Sequence, residues 1–229
     1  MNQLLYNPVY NALCTGDLHL SLGSDKVKYF NEAVSPFAGF HEDYVSGFSD
    51  LYDILPVGRK IIYATPVSIT TPKGWQLIHR IPGLQFVFDN KLIPKNKLLK
   101  PIALQEEHVE QMMQLAKLTK PGPFGLRTID FGYYYGIFEE GKLVAMTGQR
   151  LHVAQFTEIS AVCTHPDHLG KGYAAALVQH QVALILSQEG TPFLHVRDDN
   201  ERAISLYKRL GFTISRPMNF YFLKRQDSF

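Results

Sequence analysis

Residues 157–188 pass from a strand pattern to a helix pattern across a short glycine-containing loop. The run TEISAVCT (157–164) has the β-branched character of a strand, and His165-Pro166 ends it. From Gly172 to Gln188, apolar residues recur at helical spacing, and Gly190 follows as a stop signal. A strand and a helix joined this closely indicate an α/β domain in which the helix packs on the sheet.

The loop itself carries Gly170, Lys171 and Gly172 directly before the helix. Glycine allows close approach, and the backbone N–H groups at a helix start favour an anion. Tyr173 stands where a P-loop needs Ser or Thr for magnesium, and Ala175 replaces the third glycine of a dinucleotide motif. A pyrophosphate of another kind and a plain tight turn both stay open, and the glycines alone favour the turn.

Composition narrows the classes of protein to which the chain can belong. Lys and Arg number 23 against 21 Asp and Glu, a net charge of +2, which gives no basic field for nucleic acid. No apolar run approaches the ~20 residues of a membrane span, and the first residues do not predict a signal peptide. Cys14 and Cys163 lie far apart, which fits a reducing compartment. We expect a cytoplasmic protein without nucleic-acid or membrane partners.

A connector rich in lysine and proline, NKLIPKNKLLKP (90–101), divides the chain into parts 1–94 and 95–229. In the first part, strands of a small sheet are predicted at KIIYAT (60–65), WQLIHRI (75–81) and LQFVFD (84–89). Short helices are predicted around DKVKYFNEAV and SGFSDLYDIL. No residue of this part carries a chemical signature, so we expect it to be structural or to shape an acceptor site.

The second part contains an ordered series of elements. EEHVEQMMQLAKL (106–118) predicts a helix, YYYGIFEEGKLVAMTGQRL (133–151) a hairpin that turns at Glu140-Gly141, and FLHV (193–196) a buried strand. Asn200 predicts the cap of a second helix ending at Gly211, and FTISR with NFYFLKR predicts a closing pair of strands. Helices thus alternate with strands, which predicts an α/β domain with a mixed sheet.

The runs EISAVCTHPDHLGKGYAAALV, PFLHV and NERAISLYKRLGF resemble the acyl-CoA-binding half of the GNAT superfamily of N-acetyltransferases. Four elements match in order over residues 100–229: a strand ending in Val-x-x-x-Pro, a glycine loop, a second strand, and Asn-x-x-Ala-x-x-x-Tyr-x-x-x-Gly-Phe. Within the superfamily, the chain most resembles the branch that includes glycine N-acyltransferase-like proteins. The resemblance implies a mixed, mostly antiparallel central sheet flanked by helices, with residues 95–229 as the acetyltransferase domain and residues 1–94 as an additional α/β part.

The resemblance also implies acetyl-CoA as co-substrate and no metal. The backbone of Val162, Cys163 and Thr164 would pair with the pantetheine arm, and an N–H near Val162 would face the thioester oxygen. Asn200 would contact the pantetheine. Loop amides would hold the pyrophosphate, namely those of Leu169, Gly170, Lys171, Gly172, Tyr173 and Ala174. The family places Arg or Gln where this chain has Leu169, so we expect Lys171 to carry the phosphate-facing charge.

Two side chains match catalytic positions of the family. Tyr207, seven residues after Asn200, would protonate the leaving thiolate, although its place on an apolar stripe also suits a core tyrosine. Glu158 would take the proton of the acceptor, or it pairs with Arg150 or another cation or lies exposed at the strand start. His195 on the buried strand fits a hydrogen-bonded core histidine better than a base.

The segment KPGPFGLRT (120–128) lies where the family has an acceptor-side loop. Phe124 and Arg127 would contact substrate there, and Arg127 suits either a carboxylate of the acceptor or a brace within the loop. The function implied by the resemblance is transfer of an acetyl group to a small-molecule primary amine by direct attack. A longer acyl group, a protein N-terminus or lysine as acceptor, and a non-catalytic acyl-CoA sensor stay open as alternatives.

Overall fold

The computed structural model describes residues 3–89 and 100–227. These residues form five α-helices: α1 Pro8–Cys14, α2 Gly47–Ile54, α3 Val109–Thr119, α4 Tyr173–Ser187 and α5 Glu201–Arg209. The same residues form eleven strands: β1 Ser21–Gly23, β2 Val27–Phe30, β3 Ala38–Phe40, β4 Lys60–Thr65, β5 Trp75–Phe88, β6 Ile102–Ala103, β7 Tyr135–Glu139, β8 Lys142–Val153, β9 Phe156–Thr164, β10 Thr191–Arg197 and β11 Phe212–Arg225.

Among the described strands, eight form one sheet in the order β4–β11–β5–β10–β9–β8–β7–β6, and β1, β2 and β3 form a small antiparallel sheet. In the large sheet β9 and β10 are parallel, and every other neighbouring pair is antiparallel. This arrangement confirms the predicted mixed, mostly antiparallel sheet. The hairpin β7–β8 turns at Glu140 and Gly141, both with positive φ, as the sequence predicted.

Helices cover both faces of the large sheet. On the first face, α1 and α3 bury Leu13, Met112 and Leu115 against side chains of β8 and β9. On the second face, α4 and α5 bury Val178 and Tyr207 with side chains of β5, β9 and β10. Each face is closed by the apolar stripe of amphipathic helices, which is the main source of stability for such layers. Among the described residues, none of the helices is both long and apolar enough to cross a membrane.

The strands predicted in the first part do not form a small sheet of their own, and that prediction is wrong. Residues 75–89 form one strand, β5, which lies between β10 and β11 in the central sheet, and β4 pairs with β11 at its edge. Pro82 does not break β5, because its carbonyl faces the end of β10 and accepts from Asp198 N at 3.3 Å. The N–H that proline lacks would lie beyond the last ladder pair with β10, Gly83↔Arg197.

Three further segments differ from prediction or lie outside the structure. The segment DKVKYFNEAV contains strand β2 in place of a helix, because VKYF pairs on both sides with β1 and β3. The predicted closing pair of strands is the single strand β11, which continues through a bulge between Ile214 and Arg216.

The predicted helices at 46–55, 106–118, 172–188 and after Asn200 are confirmed as α2, α3, α4 and α5. The proposed boundary between residues 94 and 95, and most of the connector, fall outside the described residues.

Candidate active site

Strands β9 and β10 pair only at their first residues and then separate. The parallel ladder joins Thr191 to Phe156 and ends where Phe193 meets Glu158. Beyond that point β9 stays paired with β8 up to Thr164, while β10 stays paired with β5 up to Arg197. We call the gap between β9 residues 159–164 and β10 residues 194–197 the wedge. It leaves a strand edge inside the sheet to which an extended amide chain can add.

The β9 side of the wedge contains a bulge. The pairs Gly148↔Ser160 and Met146↔Cys163 leave both Ala161 and Val162 opposite one residue of β8. Ala161 has φ 53, a left-handed conformation that costs a non-glycine residue about 1–3 kcal/mol. The bulge therefore turns the backbone of 161–162 out of the regular ladder at the mouth of the wedge. Bulges of this kind re-aim backbone groups beside functional sites.

The loop after β9 presents open backbone amides. Gly170 and Gly172 have φ 82 and 81, and a Cβ added at either position would meet no atom within 4 Å. Gly172 is the N-cap of α4, no side chain caps the helix, and Ala176 N makes the first helical bond, to Gly172 O. Within the described chain, the amides of residues 170–175 donate to no acceptor. An open row of N–H groups at the positive end of a helix can hold a phosphate.

Lys171 is not free in this loop, because it contacts a carboxylate from β7. Its Nζ lies 2.9 Å from both carboxylate oxygens of Glu139, and the hydroxyl of Tyr173 donates to the same carboxylate. His168 Nδ1 lies 3.2 Å from Glu139 Oε2. The Tyr173 and Lys171 hydrogen bonds lower the pKa of Glu139 to about 2. No sequence pattern indicated a role for Glu139. The Leu169 side chain is exposed.

Tyr207 lies on the second face, beside the wedge. Its ring packs edge-on against Phe86 and Phe212, in the same cluster as Val162 of β9 and Val196 of β10. Burial, reinforced by the nearby Cys163, raises the pKa of Tyr207 to about 12. The phenol therefore keeps its proton at neutral pH, and no hydrogen bond is among the contacts that shift its pKa. A buried phenol with an unengaged proton can serve as a donor.

Asn200 caps α5, and Cys163 lies in the core. The Asn200 side chain accepts from Ala203 N at 3.1 Å, which confirms the predicted cap of α5. Cys163 is buried on the first face, and burial raises the pKa of its thiol to about 11. At neutral pH the thiol is protonated, so it acts as a small core residue and not as a nucleophile.

Glu158 lies at the apex of the wedge and is doubly paired. Arg150 donates to both of its oxygens, from Nε at 2.9 Å and Nη2 at 2.8 Å, and His195 Nδ1 lies 2.8 Å from Oε1. Only 1% of the Glu158 side chain is exposed. Burial alone would raise the pKa of Glu158, but Arg150 and His195 outweigh it and lower the pKa to about 2. The pairing with Arg150 is the alternative that the sequence left open.

The hydrogen bonds of His195 follow from its neighbours. Gln85 Nε2 donates to the carbonyl of Leu5 at 2.8 Å and lies 3.1 Å from His195 Nε2. Because the Leu5 carbonyl can only accept, Gln85 turns its NH₂ group to both partners, which assigns His195 Nε2 as an acceptor and leaves Nδ1 to donate to Glu158.

The predicted acceptor-side loop is fastened to the first part of the chain. Arg127 N donates to Ala33 O at 2.9 Å, and Thr128 Oγ1 donates to Val34 O at 2.8 Å. The Arg127 side chain, 57% exposed, pairs with Asp130 at 2.6 Å. The Phe124 ring packs edge-on against Tyr134, on the face that α1 and α3 cover. The residues before β5 thus help to position this loop.

The structure brings the predicted residues together in two groups. Val162, Cys163 and Thr164 line the wedge, with Tyr207 on one face and Glu158 at the apex. The segment from Leu169 to Ala174 follows β9 after the short 3₁₀ helix Pro166–His168. Phe124 and Arg127 belong to the separate acceptor-side loop.

Comparison with known proteins agrees with this architecture. A family model of FR47-like proteins matches residues 134–221. A crystal structure of a GNAT-family protein from Novosphingobium aromaticivorans DSM 12444 is 31% identical in sequence, with a TM-score of 0.91, and the match covers 99% of this chain and 100% of that one. The chain belongs to the GNAT family. No curated protein matches the chain.

Other GNAT structures share the fold of this GNAT-family chain at lower identity. A GCN5-related N-acetyltransferase from Kribbella flavida is 15% identical, with a TM-score of 0.65, over 99% of this chain and 98% of that one. A GNAT-family acetyltransferase from Colwellia psychrerythraea is also 15% identical, with a TM-score of 0.54, over 86% and 80% of the two chains. At such identity, the likeness concerns the fold. The GNAT fold is therefore established for this chain.

Proposed function

We propose that the chain is an acetyl-CoA-dependent N-acetyltransferase that moves the acetyl group to a small-molecule primary amine by direct attack. The observation that carries the proposal is the separation of β9 from β10, which opens a strand edge that leads, through the 3₁₀ helix Pro166–His168, to the unbonded amides of residues 170–175. A ligand with an amide-containing arm and a pyrophosphate matches both features at once. The glycine N-acyltransferase-like branch stays a prediction.

The donor substrate would lie along β9. The backbone of Val162, Cys163 and Thr164 would bond its pantetheine amides, and the N–H near Val162 would face the thioester oxygen. The bulge at Ala161 supports this, because it frees backbone groups at that height of the strand. Residues 169–174 would hold the pyrophosphate, whose approach the open Cβ positions of Gly170 and Gly172 permit.

Tyr207 would act as a hydrogen-bond donor to the leaving thiolate. A thiol has an ordinary pKa of roughly 8.5, so a phenol with a pKa of about 12 stays protonated and would stabilise the departing thiolate by donating a hydrogen bond to it as it forms. No hydrogen bond is among the contacts that shift the pKa of Tyr207, so none competes for its proton. This donor role therefore requires no rearrangement of α5.

Glu158 would act as a fixed anion at the apex of the wedge. A carboxylate with a pKa of about 2, paired through both oxygens, takes up a proton poorly at neutral pH. We propose that Glu158, on β9, binds Arg150 of β8 and His195 of β10 and so fixes the geometry of the wedge. This role replaces that of the base, which the resemblance implied. The acceptor would then react as the neutral amine, which an α-amino group of pKa roughly 7.7–8.0 supplies without help, and the proton that its nitrogen loses as the amide forms would pass to solvent.

The first part of the chain supports a small acceptor. The loop that carries Phe124 and Arg127 is tied to Ala33 and Val34, so residues before β5 lie against it on that side. This cover would favour a small amine over a polypeptide. Arg127 would reach an acceptor carboxylate only by leaving Asp130.

The test is thiol release from acetyl-CoA across a panel of amino acids, alkylamines and short peptides, with wild type, Tyr207→Phe and Tyr133→Phe. Tyr133 is an exposed tyrosine and serves as the matched control. We expect turnover with a small amine, a loss of about 10²–10⁴-fold in kcat for Tyr207→Phe, and no loss for Tyr133→Phe. Binding of acetyl-CoA without turnover on any amine would instead support the acyl-CoA sensor, and turnover on peptides alone would support a protein acceptor.

A further inference from the structure

The hairpin β7–β8 places a carboxylate against the proposed phosphate loop. Glu139 is the last residue of β7, and both of its oxygens contact Lys171 Nζ at 2.9 Å. The Tyr173 hydroxyl and His168 Nδ1 contact the same carboxylate, and His168 Nδ1 also lies 3.2 Å from Lys171 Nζ. We call Glu139, His168, Lys171 and Tyr173 the loop cluster. The Glu139 carboxylate thus contacts all three of the other side chains in the cluster.

The loop cluster leaves the backbone of the loop open. Glu139 contacts side chains only, while the amides of residues 170–175 donate to no acceptor in the described part of the chain. The loop therefore offers an anion two kinds of binding group. Its backbone amides are available, whereas Lys171 is already paired with Glu139. A phosphate that binds the amides must approach a carboxylate already paired with that lysine.

We propose that Glu139 competes with the phosphate of the donor substrate for Lys171 and so lowers the affinity of the loop for coenzyme A. This inference rests on the proposed function. When a diphosphate ester occupies the amides, Lys171 exchanges the carboxylate for a phosphate oxygen, and the ion pair between Glu139 and Lys171 is lost. This loss weakens binding, and it disappears when residue 139 is neutral.

The physical size of the effect is limited by solvent. The Lys171 side chain is 44% exposed and that of Glu139 is 32% exposed, so water and salt screen the pair. Three contacts to one carboxylate make it stronger than an isolated surface pair. We expect about a three- to tenfold change in the dissociation constant of coenzyme A at low ionic strength, and a smaller change as salt is added.

The experiment is calorimetric titration of the full chain with coenzyme A, using wild type, Glu139→Gln and Glu140→Gln. Glu140 is the next residue of the same turn and makes no ion pair with the described residues, so its variant carries the same change in net charge. We expect Glu139→Gln to lower the dissociation constant about three- to tenfold and Glu140→Gln to leave it nearly unchanged. In a Lys171→Met background, which itself binds more weakly, Glu139→Gln is expected to have a clearly smaller effect.

The outcomes separate this inference from the proposed function. Binding of coenzyme A by wild type with an unchanged or raised dissociation constant in Glu139→Gln overturns the inference alone. An equal gain in Glu140→Gln also overturns it, because net charge would then explain the change. An undiminished gain in the Lys171→Met background shows that the carboxylate does not act through Lys171. Failure of wild type to bind coenzyme A overturns the proposed function and the inference with it.

Discussion

Arg150 holds both carboxylate oxygens of Glu158, at 2.9 and 2.8 Å, at the point where β9 leaves β10. The two residues are cross-strand partners on β8 and β9, and His195 joins them from β10. Three strands therefore meet at one buried charge cluster. Because such a cluster is costly to bury unless it is fully paired, its geometry fixes the apex of the wedge.

Replacing Glu158 by glutamine is expected to destabilise the protein strongly. The change leaves Arg150 buried without a counter-charge, which costs about 3–5 kcal/mol in the free energy of unfolding. Asp130→Asn is the matched control, because it removes the carboxylate from the exposed pair with Arg127 and costs about 1 kcal/mol or less. Urea unfolding measures both variants. Equal losses would contradict the role given to the buried pair.

The same pair predicts how stability depends on pH. The pKa of Glu158 is lowered in the folded protein from 4.5 to about 2, so its contribution is complete above about pH 4.5 and is lost as the pH falls towards 2. Wild type should therefore lose more stability than Glu158→Gln between about pH 6 and pH 3. The measurement is the urea midpoint of both proteins at the two pH values. A constant difference between them would show that Glu158 is not held in its charged form.

Much of the site could be predicted because its signals are local. The run from Glu158 to Ala174 and the segment from Asn200 to Phe212 each lie within one strand–loop–helix or one capped helix. β5 could not be predicted as a central strand, because Pro82-Gly83 reads as a break, and only the end of β10 makes the proline acceptable there. Glu139 and Lys171 are 32 residues apart in the sequence. The register of the β7–β8 hairpin and the position of the start of α4 bring them into contact, and no local sequence pattern predicts this contact.

If the loop binds phosphate, a substitution at Gly172 should weaken the binding of coenzyme A beyond what its effect on stability explains. Gly172→Ala forces φ 81 on a residue with a Cβ, at a strain cost of about 1–2 kcal/mol, and places a methyl group where the phosphate would approach. Gly132→Ala is the matched control, with φ 83 and an equally open Cβ position. We expect similar losses of stability in both variants, and about a tenfold weaker binding of coenzyme A only in Gly172→Ala. Equal affinities by calorimetry would remove the loop from the binding site.

The proposal for the acceptor predicts that the pH dependence of kcat/KM is set by the pKa of the substrate amine. If no carboxylate of the site takes the proton, kcat/KM should rise with pH and level off near the pKa of the amine itself, roughly 7.7–8.0 for an α-amino group and roughly 10.4 for a lysine-like amine. The measurement compares two active acceptors of different basicity. A shared inflection for both acceptors would reveal a base within the protein and reopen the catalytic role of Glu158.

Amide hydrogen exchange on addition of acetyl-CoA tests most directly the central claim, that the wedge and the loop after it form the donor site. Peptides that cover residues 162–164 and 170–175 should gain protection, because residues 162–164 lie on the edge that β10 leaves open and the N–H groups of 170–175 have no acceptor among the described residues. The exchange of peptides from β4, and from the end of β11 that pairs with β4, should stay unchanged, since these segments lie at the far edge of the sheet. Protection confined to other regions, with residues 162–164 and 170–175 unaltered at saturating acetyl-CoA, would contradict the account.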